Sequence, residues 1–141
     1  MDGSVIVLDC SAALEVCFDT EKGRAYQALM LEGEEVLAPA LFINEMTNAL
    51  WKYVSAGAFS LKTACDLSHE ALTLVDRFYS DRELMQEVLA ESVRLGHPSY
   101  DMFYLVLAKR EGATLLSSDK RLSRLALQNS VDCLCEISFL K

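Results

Sequence analysis

Near its start the chain carries four consecutive apolar residues that lead directly into an acid. Val5–Leu8 reads Val-Ile-Val-Leu, and Asp9 follows without a gap. A short, β-branched run of this kind is typical of a strand that is covered on both faces, as in a parallel sheet. Because a buried strand leads straight into Asp9, we expect its carboxylate to be partly desolvated, which is costly for an unpaired charge.

Short apolar strands alternate with stretches of helical periodicity along the rest of the chain. The pattern predicts further strands at 36–38, 73–79, 114–117 and 131–135. It predicts helices at 12–17 (capped by Ser11), 22–31, 41–57, 60–73 (capped by Ser60), 81–95, 100–111 and 119–128. Alternation of this kind is typical of an α/β fold with a parallel sheet. No linker or repeat interrupts it, so we expect one domain over residues 1–141, a three-layer α/β/α sandwich with a short central parallel sheet.

Composition narrows the class of protein. With 52% hydrophobic and 24% charged residues, the chain is expected to be globular rather than disordered. No apolar run approaches the ~20 residues that span a bilayer, and residues 1–4 lack the basic start of a signal peptide. We therefore expect a cytoplasmic protein without membrane contact. The five cysteines form no C-x-x-C pair and are accompanied by only two histidines, so we expect free thiols rather than a zinc site.

Four acids, Asp9, Glu45, Asp101 and Asp119, fall where predicted strands end or predicted helices begin. Ligands of parallel α/β sheets bind at the carboxyl ends of the strands, so we expect these acids to converge there. An acid in the first turn of a helix also complements the helix dipole, which would explain Asp101 or Asp119 alone. The dipole explains Asp9 poorly.

Converging carboxylates repel one another unless a cation lies among them. Oxygen ligands select a hard cation, Mg²⁺ or Mn²⁺, and such a site can hydrolyse a phosphodiester. No serine–histidine or cysteine–histidine pair offers a competing nucleophile, and His97 is expected to be a surface-loop residue.

The net charge of −8 makes nucleic-acid binding through overall charge difficult. Binding would depend on metal and on local basic residues, and the available ones are Lys109, Arg110, Lys120, Arg121 and Arg124. A solvated helix face is the simpler explanation of these five. An acidic surface also suits a basic protein partner.

Four segments together resemble the PIN-domain family, in particular toxins of the VapC type, and they occur in the family's order at 7–12, 39–50, 99–108 and 115–122. The resemblance implies a PIN fold and an Mg²⁺- or Mn²⁺-dependent endoribonuclease. It implies that Asp9 and Asp101 bind metal, that Glu45 and Asp119 complete the site, and that Ser11 and Ser117 place hydroxyls beside it. It further implies an RNA substrate, a homodimer and a cognate antitoxin protein.

Two other functions compete with a nuclease. A PIN-like binding or assembly module with little activity of its own would have no reason to keep four clustered acids. An Asp-nucleophile phosphotransferase would use Asp9, but that chemistry typically needs a second aspartate two residues on, where this chain has Ser11.

Two apolar groups are predicted to be structural. Trp51, Tyr53 and Phe59 are expected to form an aromatic cluster in the core or a dimer interface. Met85, Val88 and Leu89 are expected to be core residues.

Overall fold

The computed structural model describes residues 5–33 and 35–134. Five strands form one parallel sheet: β1 (Val5–Leu8), β2 (Glu35–Pro39), β3 (Arg77–Tyr79), β4 (Thr114–Leu116) and β5 (Cys133–Leu134). Their order across the sheet is β3-β2-β1-β4-β5, so β1 lies at the centre. Val7 is paired with Leu37 of β2 on one side and with Leu115 of β4 on the other.

Seven helices connect the strands of the described chain: α1 (Cys10–Cys17), α2 (Glu21–Glu32), α3 (Leu41–Ser55), α4 (Leu61–Leu74), α5 (Asp81–Leu95), α6 (Ser99–Glu111) and α7 (Lys120–Gln128). Helix pairs link β1 to β2, β2 to β3 and β3 to β4, while α7 alone links β4 to β5. The parallel α/β architecture predicted from the alternating pattern is confirmed.

Alternate residues of β1 face two separate hydrophobic cores. Ile6 and Leu8 pack with buried residues of α1 to α4, and Val7 packs with buried residues of α5 to α7. A strand that is covered on both faces has apolar residues at consecutive positions, which explains why all four residues of Val5–Leu8 are apolar. The helices thus form two outer layers around the sheet, as the three-layer prediction requires.

Helix α6 is buried on almost every side. Met102 and all five residues from 104 to 108 are buried, and the helix packs against β1, β2 and β4. A helix enclosed in this way is apolar all round. Its first turn, which carries Asp101, is therefore fixed relative to the centre of the sheet.

Helix α3 begins without a capping side chain of its own. Asp81 supplies one from the start of α5, since its Oδ1 accepts a hydrogen bond from the backbone N–H of Leu41 at 3.1 Å. This contact satisfies one of the free N–H groups at the helix start. It also ties the helix that carries Glu45 to the end of β3.

Several predicted element boundaries differ from the structure by one to four residues. The third strand begins at Arg77 rather than at residue 73, because α4 continues to Leu74. The first helix is capped by Asp9, not Ser11: the carboxylate of Asp9 accepts from the N–H of Ala12, and the helix begins at Cys10. The last strand covers only Cys133 and Leu134 of the predicted 131–135, and residue 135 lies outside the described residues.

Four residues of the two apolar groups predicted to be structural are exposed. Met85 and Leu89 of α5 are about three-fifths exposed, and only Val88 of that group is core. Trp51 and Tyr53 are also exposed, although Tyr53 stacks on Phe59 with ring centroids 5.6 Å apart. The dimer interface stays the open alternative for this aromatic cluster. Within the described residues, no helix is long and apolar enough to cross a membrane.

Candidate active site

The direction of the chain reverses between β1 and β4. It runs from β1 outward through β2 and β3, then returns to place β4 on the other side of β1. In parallel sheets the crevice at such a switch point, beyond the carboxyl ends of the strands, is where ligands bind. Asp9 follows β1 and Ser117 follows β4, so both lie at this crevice.

Both carboxylate oxygens of Asp9 are held by hydrogen bonds. Ser11 Oγ donates to Oδ1 at 2.7 Å, as does the N–H of Ala12 at 2.9 Å. Ser117 Oγ donates to Oδ2 at 2.5 Å. The side chains of Ser11 and Ser117 therefore fix the orientation of this carboxylate across the two strands.

The environment of Asp9 disfavours its charge. The residue is only 4% exposed, and burial raises its pKa from 3.8 to about 6, although the hydrogen bonds from Ser117, Ser11 and Ala12 oppose that shift. The negative charge of Asp119 adds to the increase. The partial desolvation expected for this residue is present.

The backbone of Ser117 accepts a hydrogen bond from a buried tyrosine that was not predicted from the sequence. Tyr26 of α2 is fully buried, and its hydroxyl donates to the backbone carbonyl of Ser117 at 3.1 Å. Helix α2 thus supports the loop after β4, although nothing in the local sequence links the two segments.

Glu45 lies in the second turn of α3 and is held by Tyr104 of α6. The tyrosine hydroxyl donates to Glu45 Oε1 at 2.6 Å, and the side chain of Tyr104 is almost completely buried. Burial raises the pKa of Glu45; the bond from Tyr104 opposes this, and the charges of Asp101 and Asp119 reinforce it. Tyr104 was not predicted as a site residue, because its only signal in the sequence is one hydroxyl within the apolar run of α6.

Asp101 interacts with a histidine that is not a surface residue. His97 Nε2 lies 2.8 Å from Asp101 Oδ2, and the histidine side chain is only 8% exposed. His97 lies in the loop between α5 and α6, as predicted, but the prediction of a surface side chain is wrong. The two residues are four positions apart, across the start of α6, a spacing that brings side chains together on a helix. Arg121 Nε lies 3.9 Å from the same oxygen of Asp101.

Asp119 caps α7. Its Oδ1 accepts from the N–H groups of Arg121 and Leu122 at 2.9 and 3.2 Å. Asp119 therefore does stabilise the start of a helix, as the dipole alternative predicted. Its second carboxylate oxygen, Oδ2, has no hydrogen bond to the described residues.

One cavity of about 230 Å³ brings all four predicted acids together. Its lining includes Asp9, Glu45, Asp101 and Asp119, together with Ser11 and Tyr104. We call this cavity the acidic pocket. Among the described residues, Arg121 is the one lysine or arginine within ion-pair distance of any of these acids. The pocket therefore concentrates negative charge that the chain itself leaves largely uncompensated.

The carboxylate and hydroxyl oxygens of the pocket fit a hard divalent cation better than a soft one. Cys10 also lines the pocket, but burial and the charges of Asp9 and Glu45 raise the pKa of its thiol to about 12, so the sulfur stays protonated and is a poor ligand. Within residues 5–33 and 35–134, no three His, Cys, Asp or Glu side chains are close enough to form a coordinating group. Mg²⁺ typically takes only one or two protein carboxylates, and water and substrate complete its shell. The donor set is compatible with that mode of binding.

The family model of the PIN domain matches residues 6–127, a range that includes all four acids. The chain therefore belongs to the PIN domain family, and the predicted PIN fold is confirmed. Within the family it is a protein of the VapC type. Ribonuclease VapC12 of Mycobacterium tuberculosis is 34% identical over 127 residues, covering 85% of this chain and 91% of that protein.

A more distant relative and a solved structure agree with this placement. Ribonuclease VapC3 of Pyrobaculum aerophilum is 24% identical over 120 residues, covering 84% of this chain and 92% of the relative. The crystal structure of PAE2754 from the same organism matches with a TM-score of 0.70 at 25% identity, covering 86% of this chain and 79% of that one.

Proposed function

We propose that the chain is a divalent-metal-dependent endoribonuclease that hydrolyses RNA phosphodiesters at the acidic pocket, and that it is the toxin of a type II toxin–antitoxin pair. One observation carries the proposal: Asp9, Glu45, Asp101 and Asp119 line a single cavity at the switch point of a parallel sheet. The names of the VapC relatives, both ribonucleases, support RNA as the substrate.

The proposed cofactor is Mg²⁺ or Mn²⁺, held by Asp9 and Asp101 with support from Glu45 and Asp119. When bound, such an ion supplies charge neutralisation for a phosphodiester and lowers the pKa of a bound water. Ser11 and Ser117 hold Asp9 in one orientation, so this ligand needs no reorganisation on binding. Asp101 is positioned in the same way by His97.

Glu45 is the proposed proton acceptor for the attacking water. Tyr104 occupies its Oε1, which leaves Oε2 without a hydrogen bond to the described residues. Its raised pKa makes this carboxylate a better base than an ordinary glutamate. A proton from water would therefore be taken up at Oε2 while Tyr104 holds the side chain in place.

The proposed partners are an antitoxin protein and a second copy of the chain. Met85, Leu89 and Val93 form an exposed apolar stripe at helical spacing on α5, and a second copy would cover it. Light scattering on the purified chain, alone and co-expressed with its neighbouring reading frame, measures both associations against the 15.7 kDa of one chain.

The enzymatic proposal is tested by incubating purified protein with total cellular RNA in Mg²⁺ or in EDTA. We expect discrete cleavage by the wild type in Mg²⁺ only. Asp9→Asn and Asp101→Asn should abolish it, and Glu45→Gln should slow it by roughly 10²–10⁴-fold as expected for the loss of a general base. Asp66→Asn is the matched control, since it removes one negative charge from an exposed site on α4.

The same experiment can overturn the proposal. Identical RNA patterns in every lane, in a preparation shown by mass spectrometry to be free of antitoxin, would mean that the chain is not a nuclease. Cleavage that persists in EDTA or in both aspartate variants would point to a contaminating enzyme.

A further inference from the structure

A larger cavity lies beside the acidic pocket and shares two residues with it. It has a volume of about 510 Å³, and Leu14 and Glu45 line both cavities. Its other lining residues are Asn48, Ala49, Lys52 and Tyr53 of α3 and Ala56, which caps the end of that helix. A volume above 300 Å³ is in the range of sites that bind small molecules or portions of larger ligands, and the acidic pocket alone falls below it.

Two polar side chains of this cavity have no partner in the part of the chain that the structure describes. The amide of Asn48 and the ammonium group of Lys52 take part in no hydrogen bond or ion pair there, although both line the cavity. The other two polar residues of the cavity are Glu45 and Tyr53, and the ring of Tyr53 is fixed by contacts with Phe59 and Phe18.

Lys52 is one of four cations, with Arg82, Lys120 and Arg124, that form no ion pair among the described residues. Most lysine and arginine side chains of the described residues are already paired with carboxylates, and the pairs include Arg24–Asp19, Lys62–Asp66, Arg77–Glu35, Arg94–Glu91, Lys109–Glu91 and Arg110–Glu87. In a molecule with a net charge of −8, a cation without a carboxylate partner next to the acidic pocket is available for an anion from outside.

We propose that this cavity, which we call the α3 cavity, binds the nucleotide of a single-stranded RNA next to the phosphodiester that is cut. The inference rests on the proposed nuclease function and extends it to a substrate-binding site. Lys52 would neutralise the neighbouring phosphate, and Asn48 would read a base edge, since an amide both donates and accepts hydrogen bonds. The base would lie against the apolar wall of Leu14 and the edge of Tyr53, in the way that unpaired bases pack on apolar and aromatic side chains.

Charge favours RNA over a basic peptide as the occupant. A basic segment of a partner protein would be attracted by Glu45 but would bring its own cations toward Lys52. An RNA phosphate is attracted by Lys52, and the adjacent scissile phosphate would reach the acidic pocket through Glu45, which borders both cavities.

The test is RNA binding measured without cleavage. The probe is a short, fluorescein-labelled, random-sequence single-stranded RNA, and its anisotropy is followed in EDTA over a series of salt concentrations. Lys52→Gln should weaken binding and reduce the slope of log K against log salt by about 0.7, the value for one phosphate contact on a single strand. Lys62→Gln is the matched control, with the same charge change on α4 outside the cavity, and should leave the slope unchanged.

Asn48→Ala tests base reading separately from charge. It should leave the salt slope unchanged and alter the distribution of bases beside the cut, as read by sequencing the RNA ends made in Mg²⁺. Both substituted residues lie on an exposed face of α3, and thermal unfolding confirms that the variants are folded.

The outcomes separate this inference from the nuclease proposal. If Lys52→Gln and Asn48→Ala bind and cut RNA as the wild type does, while the aspartate variants are inactive, the α3 cavity is not a nucleotide site although the chain is a nuclease. If the two variants retain RNA binding but lose affinity for the co-expressed partner, the cavity docks a protein and the inference is wrong. If the wild type cuts nothing, yet Lys52→Gln lowers the salt slope, the cavity binds RNA and the nuclease proposal fails.

Discussion

The carboxylate of Asp9 destabilises the metal-free protein at neutral pH. Its pKa is raised from 3.8 to about 6 by burial, so the folded state binds a proton at this group more tightly than the unfolded state. The free energy of unfolding therefore falls as pH rises from about 4 to about 6, and the loss remains above that range. A shift of this size corresponds to roughly 2–3 kcal/mol.

Asp9→Asn should restore the free energy of unfolding that the buried carboxylate costs at neutral pH. In EDTA at about pH 7.5 we expect the variant to be more stable than the wild type by roughly 1–3 kcal/mol, and at about pH 4 the gain should vanish because the wild-type carboxyl is then protonated. Urea unfolding at the two pH values measures the difference. Asp66→Asn, at an exposed position, should show no such dependence. Equal destabilisation of Asp9→Asn at both pH values would mean that the bonds from Ser11 and Ser117 outweigh the desolvation.

Single residues of the site were predictable where the cause of their position is local. The desolvation of Asp9 follows from a buried strand that ends one residue earlier, and the place of Asp101 follows from the start of a helix. Tyr104 was not predictable, because a hydroxyl within an apolar helix is ordinary in a core and its partner, Glu45, is 59 positions away. The loop position of His97 was predictable from Pro98, but the burial of its side chain was not, because that depends on tertiary packing.

At the scale of elements, the approach of α1 to α2 depends on Gly23. A Cβ built at this residue would lie 2.0 Å from the backbone oxygen of Glu15, so no side chain fits without moving the helices apart. The same α1 begins at the cap formed by Asp9, so a displaced α1 would also disturb the acidic pocket.

Gly23→Ala should therefore destabilise the protein, although glycine-to-alanine changes inside helices usually stabilise by roughly 0.5–1 kcal/mol. We expect a loss of about 3 kcal/mol or more, because the obstacle is backbone rather than a flexible side chain. Thermal unfolding followed by circular dichroism measures the change. Gln27→Ala, at an exposed position of the same helix, should change stability by no more than about 0.5 kcal/mol. A stabilised Gly23→Ala would contradict the close packing of the two helices.

The types of the elements were predictable, but their pairing was not. Apolar periodicity identified five strands and seven helices, and the largest boundary error is the start of β3, which was predicted four residues too early. The β-branched Thr73 suggested a strand at this point. However, Leu67, Ala71 and Leu74 face the core at helical spacing, and α4 continues through Thr73 to Leu74. No local pattern indicates that β4 pairs with β1 rather than with β3, because that choice depends on how α5 and α6 cross the sheet.

For the molecule as a whole, the distribution of charge is uneven. The surface cations largely pair with surface acids, while the acidic pocket holds four carboxylates. Of the lysines and arginines among the described residues, only Arg121 lies within ion-pair distance of them. Repulsion within the pocket opposes folding, so a cation that enters it should stabilise the folded state by mass action.

Saturating Mg²⁺ should consequently raise the thermal midpoint of unfolding. At a concentration 100-fold above the dissociation constant the gain is about 2.7 kcal/mol, which corresponds to roughly 5–10 °C for a chain of this length. Asp101→Asn should lose most of that increase, whereas Asp66→Asn should keep it. Sodium chloride at equal ionic strength separates binding from screening, since screening alone would act on every variant to the same extent. An equal Mg²⁺ shift in the wild type and in Asp101→Asn would place the stabilising ion outside the acidic pocket, and Asp101 would then not be a ligand.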